Sequence, residues 1–270
     1  AYVVGDTQLH DQLCCRYGTF GRNIKMFCSH CKCPVDDIAN PRNVAHLNHL
    51  FIPADFMIDS VNADNEVNDN AYFKSISHHR LDNVFHHHEF GSNKNNIHMA
   101  TPGECLHMHQ LGVAKRTVES LKILIPRKEE FNLVALRIGG LISRQSDRHF
   151  PRTKFGSSVL STSMKEGQHY AGMLLCILIA LLSSEGRKLS RFTEEELKGQ
   201  VYFIELVLGM EEFLKNGTIT LSGIVSLRRM MRHFLSQINK RCRRDTGMEN
   251  KLIKNHLYLH VPEYVKRWGP

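Results

Sequence analysis

The chain has 270 residues, enough to bury a full core, and reads as one elaborated domain or one and a half rather than a string of small ones. Its 42% hydrophobic content fits a globular protein, and its longest apolar run, Tyr170–Leu182, falls short of the ~20 residues that a bilayer span needs, so the composition argues for a buried core helix and against a membrane. The formal net charge is +8, yet Lys and Arg number 13 against 15 Asp and Glu over residues 1–135, and 22 against 12 over residues 136–270; the basic second half suggests a polyanionic partner, although a solvated helix face is the commoner meaning of such a run.

In chain order, Ala1–Asp6 reads as the end of a buried strand whose companions lie upstream, β-branched and broken by Gly5. An Asp at the C-terminal end of a sheet strand projects into the crevice where divalent ions sit, which makes Asp6 a candidate Mg²⁺ ligand; capping a helix near Thr7 is the alternative. A short helix is expected over Leu9–Tyr17. Then Cys28, Cys31 and Cys33 place three of the eight cysteines within six residues. A Cys-x-x-Cys turn points two thiolates at one tetrahedral ion, so it supplies half a zinc site. The cysteines are clustered rather than evenly spaced and no signal peptide opens the chain, so a reducing, intracellular setting with free or metal-bound thiols is expected.

Residues 35–70 are polar, with a helix expected around Ala45–Phe51 carrying His46 and His49, and with Asn62–Asn70 as a solvated loop or helix linker lacking a packing face. His78–His88 holds five histidines in eleven residues, but three of them are consecutive and cannot all turn to one ion. Thr101 caps and Pro102 opens a helix that carries Glu104, Cys105 and His107 and stops at Pro126.

From there the pattern is helical: Glu129–Arg144, a loop from Gln145 to Gly156, the apolar helix to Leu182 opened by Ser163-x-x-Glu166, and an amphipathic helix to Leu214 opened by Thr193-x-x-Glu196. Thr220–Arg243 bears apolar Ile224, Leu227, Met231, Phe234 and Ile238 on one stripe and Arg228, Arg229 and Arg232 on another, with the basic tail Lys240, Arg241, Arg243 and Arg244. A last helix spans Met248–Tyr258, before a segment from His260 to Pro270.

The remaining zinc ligands have to come from elsewhere. The densest patch of soft donors is His98–His109, and a core role for His107 is the competing explanation. The fourth ligand is open among Cys33, His30, His49, Cys105 and His109. A zinc hydrolase using His98, His107 and His109 with Glu104 as base is the weakest reading, since no His-Glu-x-x-His run is present. A zinc-stabilised helical module that binds nucleic acid or an acidic partner without chemistry is the main alternative to an enzyme.

The order of landmarks, namely strand-Gly5-Asp6, Leu13-Cys14, Cys28-x-x-Cys31-x-Cys33-Pro34, His98-x-x-Thr101-Pro102-x-Glu104-x-Leu106-His107, Arg144-Gln-Ser-Asp147 and His260–Gly269, resembles DDE-type transposases related to CACTA, Plavaka and Kyakuja-Dileera-Zisupton elements. The resemblance implies an α/β to mainly α fold: a partial RNase H-like core with a zinc knuckle over residues 1–110, a large all-helical insertion over 111–258, and a return segment toward the core over 259–270. It implies Asp6 as the second catalytic carboxylate, structural zinc on Cys28, Cys31, Cys33 and His107, and Mg²⁺ only in a complete catalytic core. DNA would be the partner, bound non-specifically through Arg228, Arg229, Arg232, Lys240, Arg241, Arg243 and Arg244, and the setting would be nuclear. The first Asp and the closing Glu of such a site fall outside the chain, so a DNA-processing fragment inactive in strand transfer is expected, because that chemistry uses two ions held by three carboxylates.

Overall fold

The computed structural model describes residues 7–14, 16–17, 25–26, 28, 30–31, 33–34, 66–81, 84–87, 97, 105–143, 156–163, 165–242 and 253–268. In order, these form α1 (Thr7–Leu13), α2 (Glu66–Ser75), a 3-10 turn (Val84–His87), a π-helix (Leu106–Ala114), α3 (Lys115–Leu124), α4 (Lys128–Ile142), α5 (His169–Leu182), α6 (Ser184–Ser190), α7 (Glu194–Asn216), a 3-10 turn (Leu221–Gly223), α8 (Ile224–Arg241), α9 (Ile253–His256), a 3-10 turn (Leu257–His260) and α10 (Val261–Trp268).

Among the described residues there is no β-strand, only isolated antiparallel bridges such as Arg16 with His78 and Met26 with Pro34. The expected partial RNase H-like sheet core is therefore corrected: the architecture is mainly α. Among the described residues these segments are joined by single contacts rather than by a ladder, namely the Tyr17 amide on the Ser77 carbonyl at 2.8 Å and side-chain bonds of Arg16 and Ser77, and the Asn- and Asp-rich stretch read as a linker runs into the helix α2. Ala1–Asp6, with the strand and carboxylate expected there, lies outside the described residues, as do His46, His49, His98, Thr101, Pro102, Glu104 and the loop 145–155.

The chain divides into two compact units, one of Ala1–Glu104, Ile224–Arg232 and Lys251–Gly269, the other of Cys105–Gly223 and His233–Asn250. The second unit is built around α5, whose Tyr170, Met173, Leu174, Cys176, Ile177, Ala180 and Leu181 are all buried; a helix apolar on every side has to be surrounded. It is packed against α3, α4, α6, α7 and the π-helix. No single described helix is long and apolar enough to cross a membrane.

The capping box of α7 forms as read: Thr193 Oγ1 accepts from the Glu196 amide at 3.2 Å, and Glu196 accepts from the Thr193 amide at 2.9 Å. The box expected at Ser163 does not open a helix. Helix α5 begins three residues after Glu166, because Gly167 lies so close to Leu106 and Gln110 of the π-helix that a Cβ there would collide with both. The π-helix was not foreseen. Its wider turn buries His109 and Gln110 together. Gln110 Nε2 donates to Glu211 Oε1 at 2.8 Å, where Lys215 Nζ also donates at 2.5 Å, and the His109 ring stacks on Phe234 with centroids 6.3 Å apart.

In the first unit a buried ion pair fixes the approach to the cysteine turn. Arg16 Nη1 donates to Asp11 Oδ1 at 2.8 Å, both side chains being buried, and Arg16 Nη2 donates to the Met26 carbonyl at 3.0 Å. Ser77, at φ 61°, turns its Oγ to accept from the Lys25 and Met26 amides at 2.9 and 3.0 Å. Phe73 and Ile76 at the end of α2 bury against Met26. Two elements distant in sequence thereby anchor the chain just ahead of Cys28.

Candidate metal centre

Cys28 and Cys31 meet His256 and His260, and the four donor atoms all lie within 4.8 Å of one another. Cys28 Sγ is 3.2 Å from His260 Nε2, Cys31 Sγ is 3.1 Å from His256 Nε2, and the two Nε2 atoms are 3.3 Å apart. A tetrahedral zinc with bonds of about 2.05 Å to nitrogen and 2.3 Å to sulfur sets N···N edges near 3.3 Å and S···N edges near 3.6 Å. The nitrogen pair already has that spacing, and the sulfurs need to retreat by only a few tenths of an ångström. Cys28, Cys31 and His260 are fully buried and His256 is 1% exposed.

Local structure explains the convergence. The Cys-x-x-Cys turn is tight enough for the His30 amide to donate back to Cys28 Sγ at 3.3 Å, which also favours the thiolate. His256 ends α9 and His260 ends the 3-10 turn that follows; a four-residue separation on a helical path puts both imidazoles on one face. Tyr264, another four residues on, and His30 wall the site, the His30 ring lying 5.3 Å from Tyr264 and 5.4 Å from His260.

The charges suit a set of metal ligands. Burial pushes the Cys28 thiol up, but its bond with Cys31 and the rings of His260 and His256 outweigh that and hold it well below the ordinary value. Hydrogen bonds with Cys28 and Cys33 push Cys31 up. Burial would depress His256, yet the Cys28 charge raises it to about 10. A divalent ion bound here takes the place of these protons, so its affinity falls as pH drops. All four positions of a tetrahedral ion are filled by protein, which is the arrangement of a structural site and leaves no place for substrate.

The sequence reading identified Cys28 and Cys31 and missed the two histidines that the structure gathers with them. His107 lies half-buried on the π-helix of the second unit, with half-buried Cys105 just before that helix and buried His109 on it, and none of the three is among the four clustered donors. Cys33 is buried beside the cluster with its thiol 3.5 Å from the Pro34 carbonyl, and its bond with Cys31 holds it down at about 5. In the histidine-rich stretch, His78 is buried with Nδ1 bonded to the Ile76 carbonyl at 2.8 Å, while His79 is exposed. The signal for the missing pair was His256-x-x-x-His260, a ligand spacing divided by the helix end expected at Tyr258.

Of the basic residues, Arg229 and Lys240 are exposed on the face of α8 opposite its buried Leu227, Met231, Phe234 and Ile238, and Arg232 is half-buried. Arg228 Nη2 donates to Glu263 at 2.6 Å. The Arg241 guanidinium lies over Gly199 of α7, where the missing Cβ makes room for it. Arg243 and Arg244 are outside the described residues. No family model, no curated protein and no solved structure matches the chain.

Proposed function

We propose that this chain is a zinc-clamped helical module of a transposase-related nuclear protein, and that it holds DNA rather than cutting it. The observation that carries the zinc clamp is the buried quartet Cys28, Cys31, His256 and His260. Two thiolates and two neutral imidazoles suit zinc, and a closed shell of this kind contributes folding energy instead of catalysis. A structural zinc of this type supplies about 10–16 kcal/mol of apparent binding free energy, as much as the whole stability of an ordinary domain, about 5–15 kcal/mol.

The DNA part rests on charge. The second half of the chain carries the whole basic excess, and α8 presents Arg229 and Lys240 outward on one face. Phosphate contacts from such a face are non-specific and release counterions, so affinity should fall steeply between roughly 50 and 200 mM salt. The motif order that resembles transposases favours DNA over an acidic protein. Cleavage is left out because strand transfer uses two ions held by three carboxylates, and the resemblance leaves two of those carboxylates outside these 270 residues.

The test is elemental analysis of untagged protein together with DNA titration at several salt concentrations. Close to one zinc per chain is expected, along with a salt-dependent affinity that falls in an Arg229→Glu/Lys240→Glu variant. Zinc near zero would remove the clamp, and unchanged DNA binding by the variant would return the basic face to plain solvation.

A further inference from the structure

Away from the metal centre, within the second unit, α7 and the end of α8 hold a cation and an aromatic ring side by side. Arg241, the last residue of α8, is half-buried, and its guanidinium covers Gly199 of α7 so closely that a Cβ there would collide with Cζ and both terminal nitrogens. Its Nε is buried without a hydrogen-bond partner, and among the described residues no carboxylate pairs with the group. The first-turn acids of α7 nearest to Gly199 are engaged elsewhere, Glu196 in the capping box and Glu194 with Lys198 at 3.4 Å. A charge laid against backbone without a counter-ion is costly unless an anion completes its surroundings, and the planar guanidinium fork matches phosphate. Three residues beyond Gly199, about 4.5 Å along the axis and adjacent on the helix surface, stands Tyr202, 44% exposed. Its hydroxyl lies 2.8 Å from His233 Nε2 of α8, and the two rings meet edge to face with centroids 6.2 Å apart. That bond fixes the orientation of an aromatic surface that is still largely in water, so little freedom is left to lose when something stacks on it.

We propose that this seam of α7 and α8 seats one nucleotide of single-stranded DNA, its phosphate on Arg241 and its base stacked on Tyr202. The seat rests on the DNA reading given above and specifies the form of DNA that is held. A phosphate supplies the counter-ion that Arg241 lacks, and exposed Lys240, next in the chain, adds a second cation for the adjoining backbone. The ring selects the strand. Every base has a π-face, but in a duplex those faces are covered by the neighbouring base pairs, so only an unpaired base can lie on Tyr202. Affinity thus comes from the cations for either form, and the preference for an unpaired strand comes from Tyr202. His233 is a positioning residue, holding the ring through its hydroxyl.

Anisotropy titrations of the full chain against a labelled dT oligomer and against a duplex of equal length test the seat. Tyr202→Ala should weaken dT binding roughly 5- to 150-fold, the range of one lost base–aromatic stack, and leave duplex affinity within about twofold. Tyr202→Phe, which keeps the ring, should stay closer to the parent than Tyr202→Ala does. Arg241→Gln should weaken dT binding and lower the slope of log affinity against log salt by about 0.7, the share of one phosphate on a single strand. Should Arg241→Gln not fold, the exposed Tyr202 decides the matter by itself. Unchanged dT binding by Tyr202→Ala, equal losses for dT and duplex, or a parent that binds duplex alone overturns the single-strand seat, and a folded Arg241→Gln with an unaltered salt slope overturns its phosphate contact. A parent that binds neither form sinks the DNA reading itself, so the two failures are told apart.

Discussion

Arg16 and His109 are both buried, and the chain deals with them in opposite ways. The charge of Arg16 is compensated inside the fold, by Asp11 at 2.8 Å and by a second bond to the Met26 carbonyl. Replacing Asp11 by Ala strands a guanidinium in the interior, and destabilisation of about 3–5 kcal/mol is expected in chemical unfolding of the zinc-loaded protein. A loss under 1 kcal/mol would mean that water reaches the arginine. His109 gives its charge up: burial depresses it from 6.5 to about 4, against the opposing pull of Glu211 and the Val207 carbonyl. The unfolded chain protonates this ring near 6.5 and the folded one only near 4, so the unfolded state binds more protons between those values. Stability should therefore fall as pH is lowered through that window, by ~3 kcal/mol in all. Urea midpoints of the parent and of His109→Leu between pH 7 and pH 4 read the effect; the parent should lose more, and equal losses would place the acid sensitivity elsewhere. Neither role was legible beforehand. A lone His in a soft-donor patch looks the same in sequence whether it binds metal or stacks on Phe234.

At the level of elements, what was legible was whatever is encoded within a few consecutive residues. The Thr193–Glu196 box is local chemistry between neighbours in sequence, and it formed; Thr193→Ala should cost about 1 kcal/mol, seen as a lowered melting temperature of the second unit. The Ser163 box has the same letters but failed, since Gly167 is claimed by a contact with the π-helix that no local pattern announces. The π-helix itself escaped for a related reason: its extra residue per turn is stabilised by Gln110 reaching Glu211, a partner 101 residues away. Glu211→Leu leaves the Gln110 amide buried without its acceptor and should cost about 1–3 kcal/mol. If thermal unfolding shows no loss, the polar pair is incidental to the π geometry. Half the metal centre was visible in Cys28 and Cys31, because two cysteines on one turn declare themselves. The other half was hidden by a helix boundary, expected at Tyr258 but crossed by a 3-10 turn that keeps His256 and His260 in phase.

For the whole molecule, the division into two units sets the expectation for metal removal. The quartet lies within the first unit, while the core around α5 lies within the second. Chelation should strip amide hydrogen-exchange protection from Ile253–Trp268 and the cysteine turn, and leave α5 and α7 protected. Uniform loss across all helices would show that the units fold as one. The α-helical character of the second unit was readable from periodicity and apolar content; that the described residues hold no strand was not, because the sheet was inferred from a short β-branched opening and from motif order rather than from alternating strands.

The metal centre joins residues 225 and 232 positions apart, and this span has a consequence for how the protein is made. Closing a loop of that size costs the unfolded chain about 5 kcal/mol of entropy, which the metal can offset only once both ends of the loop have been made. A ribosome adding 5–20 residues per second needs roughly 10–45 s to pass from Cys31 to His256. During that interval the nascent chain carries a Cys-x-x-Cys turn without its imidazoles, open to oxidation or to a stray ion. Newly synthesised protein is thus most vulnerable at its cysteines in the seconds before Ile253–Trp268 emerges.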